Sequence, residues 1–168
     1  EAILEIYGKE DFNTEYKSDQ SPVTAADLAA DRVIYDFLSS AYPNEVIVTE
    51  ERDPLDGTKE FVKRGGDFTV NIGYVKNGVP VFGMVYAPAI GRLFLTLGGE
   101  AFEELGALKK GAFGELNKIE VAKSDNNALN IVASKSHRDV ATDEYINQYA
   151  VADFRSAGSS LKFCLVAT

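Results

Sequence analysis

The stretch DPLDGTKEF, residues 53–61, brings three acidic side chains and a threonine close together. Two more carboxylates, Glu50 and Glu51, end the preceding apolar run, and Asp27 follows Thr24 at the start of a predicted helix. A helix start, a strand end and a turn can therefore deliver carboxylates to one point. Asp-Pro and Asp-Gly are also ordinary turn dipeptides, so the turn by itself does not identify a site.

Carboxylates gathered in one pocket repel each other, and a bound cation would offset that repulsion. The neighbouring ligands are oxygens, without His or Cys, and oxygen ligands favour Mg²⁺ over Zn²⁺. The stretch lacks the D-x-D-x-D-G rhythm of an EF-hand loop, which argues against a Ca²⁺ site of that kind. Two Mg²⁺ ions held by these carboxylates would allow an acidic protein to bind a phosphate ester and to activate a water.

Thr58 has a predicted role beside this metal site. Together with Glu50, its hydroxyl can hydrogen-bond and deprotonate an attacking water. Its backbone N–H, at the start of a helix through TKEFVKR, can face a phosphate oxygen. A serine-hydrolase interpretation of the GSS stretch fails, because the chain has no G-x-S-x-G elbow and its one histidine has no evident partner.

The composition limits the function classes. The 168 residues are 45% hydrophobic, which predicts one globular domain, or one and part of a second. A net charge of −9 argues against general binding to nucleic acid or an anionic membrane. No apolar run approaches the roughly 20 residues of a membrane span, and the first residues do not resemble a signal peptide. We therefore expect a cytoplasmic protein, with Cys164 as a buried, reduced thiol.

Hydrophobic spacing predicts the elements that position these groups. SPVTAADLAADRVIYDFLSSAYP predicts an amphipathic helix, with Leu28, Val33 and Phe37 among its apolar positions, and EVIVTE predicts a strand. FTVNIGYVKNGVPVFGMVYAP predicts two strands around the turn Lys76-Asn77-Gly78, and GRLFLTL predicts a third. These three strands should form an antiparallel meander.

The rest of the chain predicts further helices and strands. Residues 100–123 indicate a hairpin-like decoration with a strand at LNKIEVA, ALNIVASKSH predicts a strand, and ATDEYINQYAVADF predicts a helix. GSSLKFCLVAT indicates a strand-to-helix junction at Gly158. Because no βαβα rhythm is evident, the pattern favours a layered α+β architecture over a doubly wound sheet.

The combination of VTEE, DPLDGTKEF, FVKRGGDFTVNIGYV and GSSLKFCLVA resembles the lithium-sensitive, Mg²⁺-dependent phosphatase superfamily. This superfamily contains inositol monophosphatases, fructose bisphosphatases and 3′(2′),5′-bisphosphate nucleotidases, and the chain is most similar to the CysQ-type nucleotidase branch. DPLDGTKEF in place of DPIDGTTNF is one feature that favours this branch.

The resemblance implies an αβαβα sandwich whose first sheet is mostly antiparallel and whose second sheet is only partly present. It also implies an N-terminal metal-binding α+β domain over 1–123 and the beginning of a C-terminal substrate-binding α/β domain over 124–168.

The resemblance also implies roles for individual residues around the metals. The ligands of two or three Mg²⁺ ions would be Glu50, Asp53, Asp56 and the Leu55 carbonyl, and Li⁺ would inhibit. Thr58 and Glu50 would position the nucleophilic water.

Asp27 would support that water or an outer metal. Asp56, with the backbone amides of Gly57 and Thr58, would contact the scissile phosphate.

The nucleoside and second phosphate would lie against the stretches 134–137 and 158–162, with Ser159, Lys162 and His137 as contacts. Ordinary structural roles stay open for these three residues. His137 fits a solvated surface histidine, Lys162 an exposed helix position, and Ser159 a helix cap. The basic group that follows the turn, Lys59, Lys63 and Arg64, could attract an anion, but such a group is more often a solvated face.

The chain departs from the family pattern at two places. In the family an apolar strand leads into the DPxDGT turn, whereas here Arg52 joins Glu51 directly to Asp53, which predicts that a loop and a short strand are missing there. A further metal-binding Asp of the family lies in a downstream Trp-Asp motif, and this sequence has no Trp and ends at Thr168.

The sequence as a whole predicts removal of the 3′-phosphate from adenosine 3′,5′-bisphosphate. Hydrolysis of inositol monophosphate and a non-catalytic relative that binds metal or nucleotide are the alternatives. The expected partner is a small phosphorylated nucleotide, and the expected state is a monomer or a homodimer.

Overall fold

A computed structural model of the chain describes residues 1–9, 11, 13–16, 22–44, 46–48, 55–106, 108 and 111–168. None of the helices in these ranges has the length and apolar character needed to cross a membrane. The helices are α1 Ala2–Tyr7, α2 Ala25–Ala41, α3 Thr58–Val62, α4 Val140–Ile146 and α5 Leu161–Cys164, which a 3₁₀ turn, Leu165–Ala167, follows.

The strands, in chain order, are β1 Glu15–Tyr16, β2 Pro22–Val23, β3 Leu55–Asp56, β4 Thr69–Lys76, β5 Val79–Ala87, β6 Arg92–Leu97, β7 Glu100–Leu105, β8 Asn117–Ile119, β9 Leu129–Ser134 and β10 Val151–Ala157.

Helix α2 is the long helix that the sequence predicts. It begins with a capping box: the Thr24 hydroxyl accepts the Ala26 N–H at 3.3 Å, and the Asp27 carboxylate accepts the Thr24 N–H at 2.6 Å. The helix ends before Tyr42, whose following proline disfavours a helical backbone. The prediction of its buried apolar face is partly wrong, because the predicted apolar position Leu28 is 56% exposed.

The meander predicted from FTVNIGYVKNGVPVFGMVYAP and GRLFLTL is confirmed. Strands β3, β4, β5, β6, β7 and β8 form one antiparallel sheet in that order. Asn77 and Gly78 connect β4 to β5 with φ angles of 52° and 76°, the left-handed backbone of a tight hairpin turn. The strand predicted at LNKIEVA is confirmed as β8, which pairs antiparallel with β7. The prediction that this segment only decorates the fold is wrong, because β7 pairs along its whole length with β6 and so extends the sheet.

A hydrophobic cluster lies on each face of this sheet. Val70 and Leu55 are cross-strand partners, and they pack with Ala26, Phe61 and Phe68 in a cluster that α1 and α2 cover. Successive residues of a strand point to opposite faces. A second cluster, formed by Ala87, Phe94 and Leu161, lies on the opposite face beneath α5. Helices therefore pack on both faces of the sheet at these clusters, which agrees with the predicted α+β layered class.

A separate parallel pair of strands follows the sheet. β9 pairs with β10, with Ile131 opposite Phe154, and α4 connects the two strands. The sequence predicts helix through all of ATDEYINQYAVADF, but α4 ends at Ile146 and Val151–Ala157 is a strand. The interstrand hydrogen bonds to β9 decide the structure of this segment over its local helical pattern.

The strand predicted at EVIVTE is absent from the part of it that the structure describes. Val46 and Val48 lie outside helices and strands and are 88% and 86% exposed. β-branched residues favour a strand only where a neighbouring strand and a packed face are available. The remaining residues of this segment, 45, 49 and 50, lie outside the described residues.

Three aromatic rings connect α1 to the segment after the acidic turn. The rings of Tyr7, Phe61 and Phe68 have centroid separations of 4.9–5.1 Å. The Arg64 guanidinium donates to the Tyr7 carbonyl at 2.6 Å and also to the Lys9 carbonyl, so this residue is exposed, as a solvated face implies, and also contacts the end of α1. Its charge lies at the carboxyl end of α1, where a cation is favourable.

We expect Arg64→Ala to lower the free energy of unfolding by about 1 kcal/mol. Hydrogen bonds from a charged donor contribute roughly 1.5–3 kcal/mol, and the exposure of Arg64 reduces that value. Urea denaturation measures the change. Lys63→Ala, at the exposed neighbouring position, serves as the matched control and should stay within about 0.5 kcal/mol of the wild type. Equal losses in both variants would contradict the role of the Arg64 hydrogen bonds.

Candidate active site

The acidic turn and the start of α2 meet through one hydrogen bond. The Thr58 hydroxyl lies 3.1 Å from Asp27 Oδ1 and 3.4 Å from the Leu55 carbonyl. A hydroxyl has one proton, and the charged, closer Asp27 oxygen is the stronger acceptor. Asp27 is fully buried, and its other oxygen, Oδ2, accepts the N–H and the hydroxyl of Thr24, both at 2.6 Å. Asp27 therefore fixes the position of the Thr58 oxygen.

Glycine is required at the centre of the turn. Gly57 has a φ of 90°, a backbone conformation that side chains disfavour. A Cβ at this position would lie 3.0 Å from Ser159 Cβ, 3.1 Å from Glu60 Oε2 and 3.3 Å from Phe68 Cα. The turn therefore packs directly against the GSS stretch, which lies about one hundred residues later in the chain.

Asp56 and Ser160 form the contact between the turn and that stretch. The Ser160 N–H donates to Asp56 Oδ2 at 2.6 Å. The Ser160 hydroxyl lies 2.7 Å from Asn71 Oδ1 and 2.8 Å from Thr69 Oγ1, both on β4. The structure thus brings the predicted metal ligand Asp56 next to the predicted substrate stretch.

Ser159 and Lys162 have structural contacts of their own. Ser159 has a φ of 47°, and its hydroxyl donates to the Asp67 carbonyl at 2.5 Å. The Lys162 ammonium donates to the Ser159 carbonyl at 2.6 Å, and its nitrogen lies 5.1 Å from the centroid of the Phe163 ring. One of the three ammonium protons is used in this hydrogen bond, so Lys162 keeps two for an anion.

His137 is exposed and lies three residues after the end of β9. Its backbone N–H donates to Ser134 Oγ at 3.1 Å. Among the described residues, no hydrogen bond to its imidazole is present. The exposed position of His137 agrees with a solvated surface histidine. The role of His137 in substrate binding stays a prediction.

Part of the predicted metal site lies outside the described residues, namely Glu50 and Asp53. Within the described ranges, no group of three or more His, Cys, Asp or Glu side chains is placed to hold a metal ion. The Asp56 carboxylate and the Leu55 carbonyl lie on one short strand, and their oxygens are ligands of the kind that a hard cation such as Mg²⁺ prefers.

Three residues of the site region have roles that the sequence-based predictions do not include. Thr24 orients Asp27, and the pattern T-x-x-D before an apolar helix is a signal that could have identified it. Glu60 and Asp67 contact the stretches 134–137 and 158–162. No local sequence pattern indicates those contacts, because they connect positions at least 68 residues apart.

The single cysteine does not take part in this chemistry. Burial raises the pKa of the Cys164 thiol to about 11, with Glu103 adding to the rise and Arg92 opposing it. Very little thiolate is then present at neutral pH, and the thiolate is the nucleophilic form. Cys164 is a free thiol, as predicted, but it is half-buried rather than fully buried.

The alignment of this chain with one relative, the 3′(2′),5′-bisphosphate nucleotidase CysQ of Escherichia coli K12, is longer than the chain itself. It runs over 184 positions, whereas the chain has 168 residues, so at least 16 positions of that relative have no counterpart here. The loop and strand predicted to be missing at Arg52 would account for such a difference. Residues 49–54 lie outside the described residues, so the location of the gap stays a prediction.

Known proteins resemble this chain both in sequence and in structure. The 3′(2′),5′-bisphosphate nucleotidase CysQ of Escherichia coli K12 is 38% identical, with 99% of this chain and 71% of the relative covered. The crystal structure of CysQ from Bacteroides thetaiotaomicron superimposes with a TM-score of 0.72 at 33% identity, covering 99% of this chain and 70% of that one.

A structure of an inositol monophosphatase/NADP phosphatase, complexed with Mg²⁺ and phosphate, has a TM-score of 0.69 at 22% identity. It covers 90% of this chain and 60% of that one, and at this identity the likeness concerns the fold alone. The sequence profile of the inositol monophosphatase family matches residues 53–168. The chain therefore belongs to the inositol monophosphatase family and is a phosphatase of that family.

Proposed function

We propose that this protein is a Mg²⁺-dependent phosphomonoesterase that removes the 3′-phosphate of adenosine 3′,5′-bisphosphate. The products are AMP and phosphate. The observation that carries the proposal is the junction of Thr58, held by Asp27 at 3.1 Å, with Asp56, held by the Ser160 N–H at 2.6 Å. This junction brings the Thr58 hydroxyl, the Asp56 carboxylate and the GSSLK stretch around one turn, and the proposal assigns them to the orientation of water, the binding of metal and the binding of substrate. The names of the curated relatives support the choice of substrate.

Asp56 and the Leu55 carbonyl would hold Mg²⁺, with Glu50 and Asp53 as further ligands. The proposal includes two or three ions and inhibition by Li⁺. Bound Mg²⁺ lowers the pKa of water and offsets negative charge on the phosphoryl oxygens. The Ser160 N–H fixes the rotation of the Asp56 carboxylate, since a charge-assisted hydrogen bond of 2.6 Å is strongly directional.

Thr58 would act on the attacking water. Because its hydroxyl proton is donated to Asp27, its oxygen lone pairs are left to accept a hydrogen bond from water. Glu50 would share this role as the base that takes the proton. The water oxygen would then form a bond to phosphorus, the bond from phosphorus to the 3′-oxygen would break, and solvent would supply the proton to that 3′-oxygen while Glu50 returns its proton to solvent.

The second phosphate and the nucleoside would lie along the stretches 134–137 and 158–162. The chain carries a net charge of −9, so a second phosphate needs a local cation. Lys162, next to the turn through Ser159 and Ser160, supplies one. Ser159 and His137 complete the proposed contacts. The substrate partner is thus a small phosphorylated nucleotide, bound by a monomer or a homodimer.

The ratio of kcat/KM for adenosine 3′,5′-bisphosphate to kcat/KM for inositol 1-phosphate tests the substrate. We expect the bisphosphate to be favoured by about 100-fold, because a well-placed charged contact contributes roughly 1.5–3 kcal/mol. A preference for inositol 1-phosphate would assign the chain to the other activity of the family. Calorimetric binding of the bisphosphate without release of phosphate would indicate a non-catalytic relative.

Lys162→Ala should raise KM for adenosine 3′,5′-bisphosphate about 10-fold and leave KM for a simple phosphate ester within about 2-fold. The expected loss is that of one charge-assisted hydrogen bond to the second phosphate. Lys123→Ala, at an exposed position after β8, is the control for a general loss of positive charge. Equal effects of Lys162→Ala on both substrates would remove Lys162 from nucleotide recognition.

A further inference from the structure

Glu60 is a buried carboxylate that the proposed chemistry does not use. It lies on α3 two residues after Thr58 and is only 7% exposed. Burial of a carboxylate is unfavourable unless hydrogen bonds compensate for the lost water. Its Oε1 accepts the hydroxyl of Ser136 at 2.5 Å, across 76 residues of sequence. This contact connects α3 to the stretch that follows β9.

Two glycines leave room for this side chain. A Cβ at Gly158 would lie 2.6 Å from Glu60 Cγ and 3.0 Å from Glu60 Cδ, closer than carbon atoms can pack. A Cβ at Gly57 would lie 3.1 Å from Glu60 Oε2. Glu60 is therefore enclosed by the acidic turn on one side and by the stretch after β10 on another.

Asp67 makes a second connection from the same part of the chain. Its Oδ2 lies 3.1 Å from the Lys135 ammonium and 3.4 Å from the Gly158 N–H. Its carbonyl accepts the Ser159 hydroxyl at 2.5 Å. The segment from Glu60 to Asp67 thus holds both stretches, 134–137 and 158–162, against the turn that carries Asp56 and Thr58.

We propose that Glu60 is a positioning residue that determines specificity for substrates with two phosphates. Its carboxylate fixes the distance between the turn at Asp56, where one phosphate is cleaved, and the stretch 134–137. This inference rests on the proposed function, in which that stretch contacts the nucleoside and the second phosphate.

The Glu60–Ser136 hydrogen bond should matter more for a bisphosphate than for a simple monoester. A bisphosphate must fit the turn and the two stretches at once, so a shift of either stretch weakens its binding. A simple monoester needs the turn alone. Loss of the Glu60–Ser136 hydrogen bond should therefore act on KM for the bisphosphate and spare the hydrolysis of a simple ester.

The test compares adenosine 3′,5′-bisphosphate with glycerol 2-phosphate in the wild type and three variants. We expect Glu60→Ala to raise KM for the bisphosphate about 10-fold, with kcat and the kinetics of glycerol 2-phosphate within about 2-fold of the wild type. Glu60→Gln keeps an oxygen that accepts the Ser136 hydroxyl, so it should restore most of the lost affinity. Glu144→Ala, at an exposed position on α4, is the matched control.

A double-mutant cycle separates positioning from a general loss of structure. Ser136→Ala should raise KM for the bisphosphate as Glu60→Ala does, and the double variant should show no further rise, since both changes remove one hydrogen bond. If Glu60→Ala fails to fold, Ser136→Ala and Glu60→Gln provide the same comparison.

The outcomes distinguish this inference from the proposed function. Wild-type protein that does not hydrolyse the bisphosphate would overturn the proposed function and this inference with it. Hydrolysis by the wild type, together with an unchanged KM in Glu60→Ala and Ser136→Ala, would overturn the inference alone. An equal loss on both substrates would assign Glu60 to the stability of the turn and would also overturn it.

Discussion

Asp56→Asn should lower kcat by about 10³ with the fold intact. A metal ion supplies several kcal/mol of charge stabilisation in the transition state, and each 1.4 kcal/mol is about a factor of ten in rate. Asparagine has the shape of aspartate and its carbonyl oxygen can still accept the Ser160 N–H, which lies 2.6 Å from Asp56 Oδ2 in the wild type. The loss should therefore reflect the missing negative charge toward Mg²⁺.

Phosphate release under saturating substrate measures this effect, and the Mg²⁺ concentration for half-maximal rate should rise in the same variant. Asp125→Asn is the matched control, because Asp125 is exposed and its side chain accepts the Asn127 N–H in a local turn that asparagine also forms. Full activity of Asp56→Asn would remove Asp56 from the metal site.

Thr58→Ala should lower kcat by about 10²–10³ with KM changed by less than about 3-fold. The reason is the loss of the hydroxyl that orients the attacking water, and positioned proton-transfer groups typically contribute about 10²–10⁴ in rate. The same change leaves the buried Asp27 Oδ1 without its donor, which costs about 1–3 kcal/mol of stability. Rates should therefore be compared well below the melting temperature of the variant.

Thr58→Ser separates the hydroxyl from the methyl group. Serine keeps the donor to Asp27 and the acceptor for water, so its kcat should stay within about 10-fold of the wild type. Similar large losses in both variants would indicate that Thr58 serves packing alone. A Thr58→Ala protein with more than half of the wild-type kcat would exclude the hydroxyl from the chemistry.

Elements with strong local signals could be predicted from the sequence. The hairpin at Asn77-Gly78 has the residues that a left-handed turn needs, and α2 has a proline shortly after its last residue. The face that α2 buries could not be predicted in the same way. Small residues, Ala26 and Ala30, contact the core, whereas Phe37 is 69% exposed. Close packing of a helix on a sheet favours small side chains there, and a count of apolar spacing does not show this.

Segments whose structure depends on a distant partner could not be predicted. β10 is a strand because it pairs in parallel with β9, although its sequence continues a helical pattern. The converse holds for Val46 and Val48, which have high strand propensity and lie outside strands in the structure.

The contacts of the candidate site also divide into expected and unexpected ones. The contact of Thr58 with Asp27 could be expected only through the resemblance, which implies that both residues act on the attacking water, and the structure joins them at 3.1 Å. The contact of Asp56 with Ser160 spans 104 residues, so only the fold reveals it. The same holds for Glu60, whose partner Ser136 lies 76 residues away.

The most direct test of the central claim is phosphate release from adenosine 3′,5′-bisphosphate by the wild-type protein during a Mg²⁺ titration after treatment with a chelator. We expect no release by the chelated protein, recovery on addition of Mg²⁺, and AMP as the nucleotide product. Release that is indifferent to the chelator, or binding of the bisphosphate with no release at any Mg²⁺ concentration, would contradict the central claim.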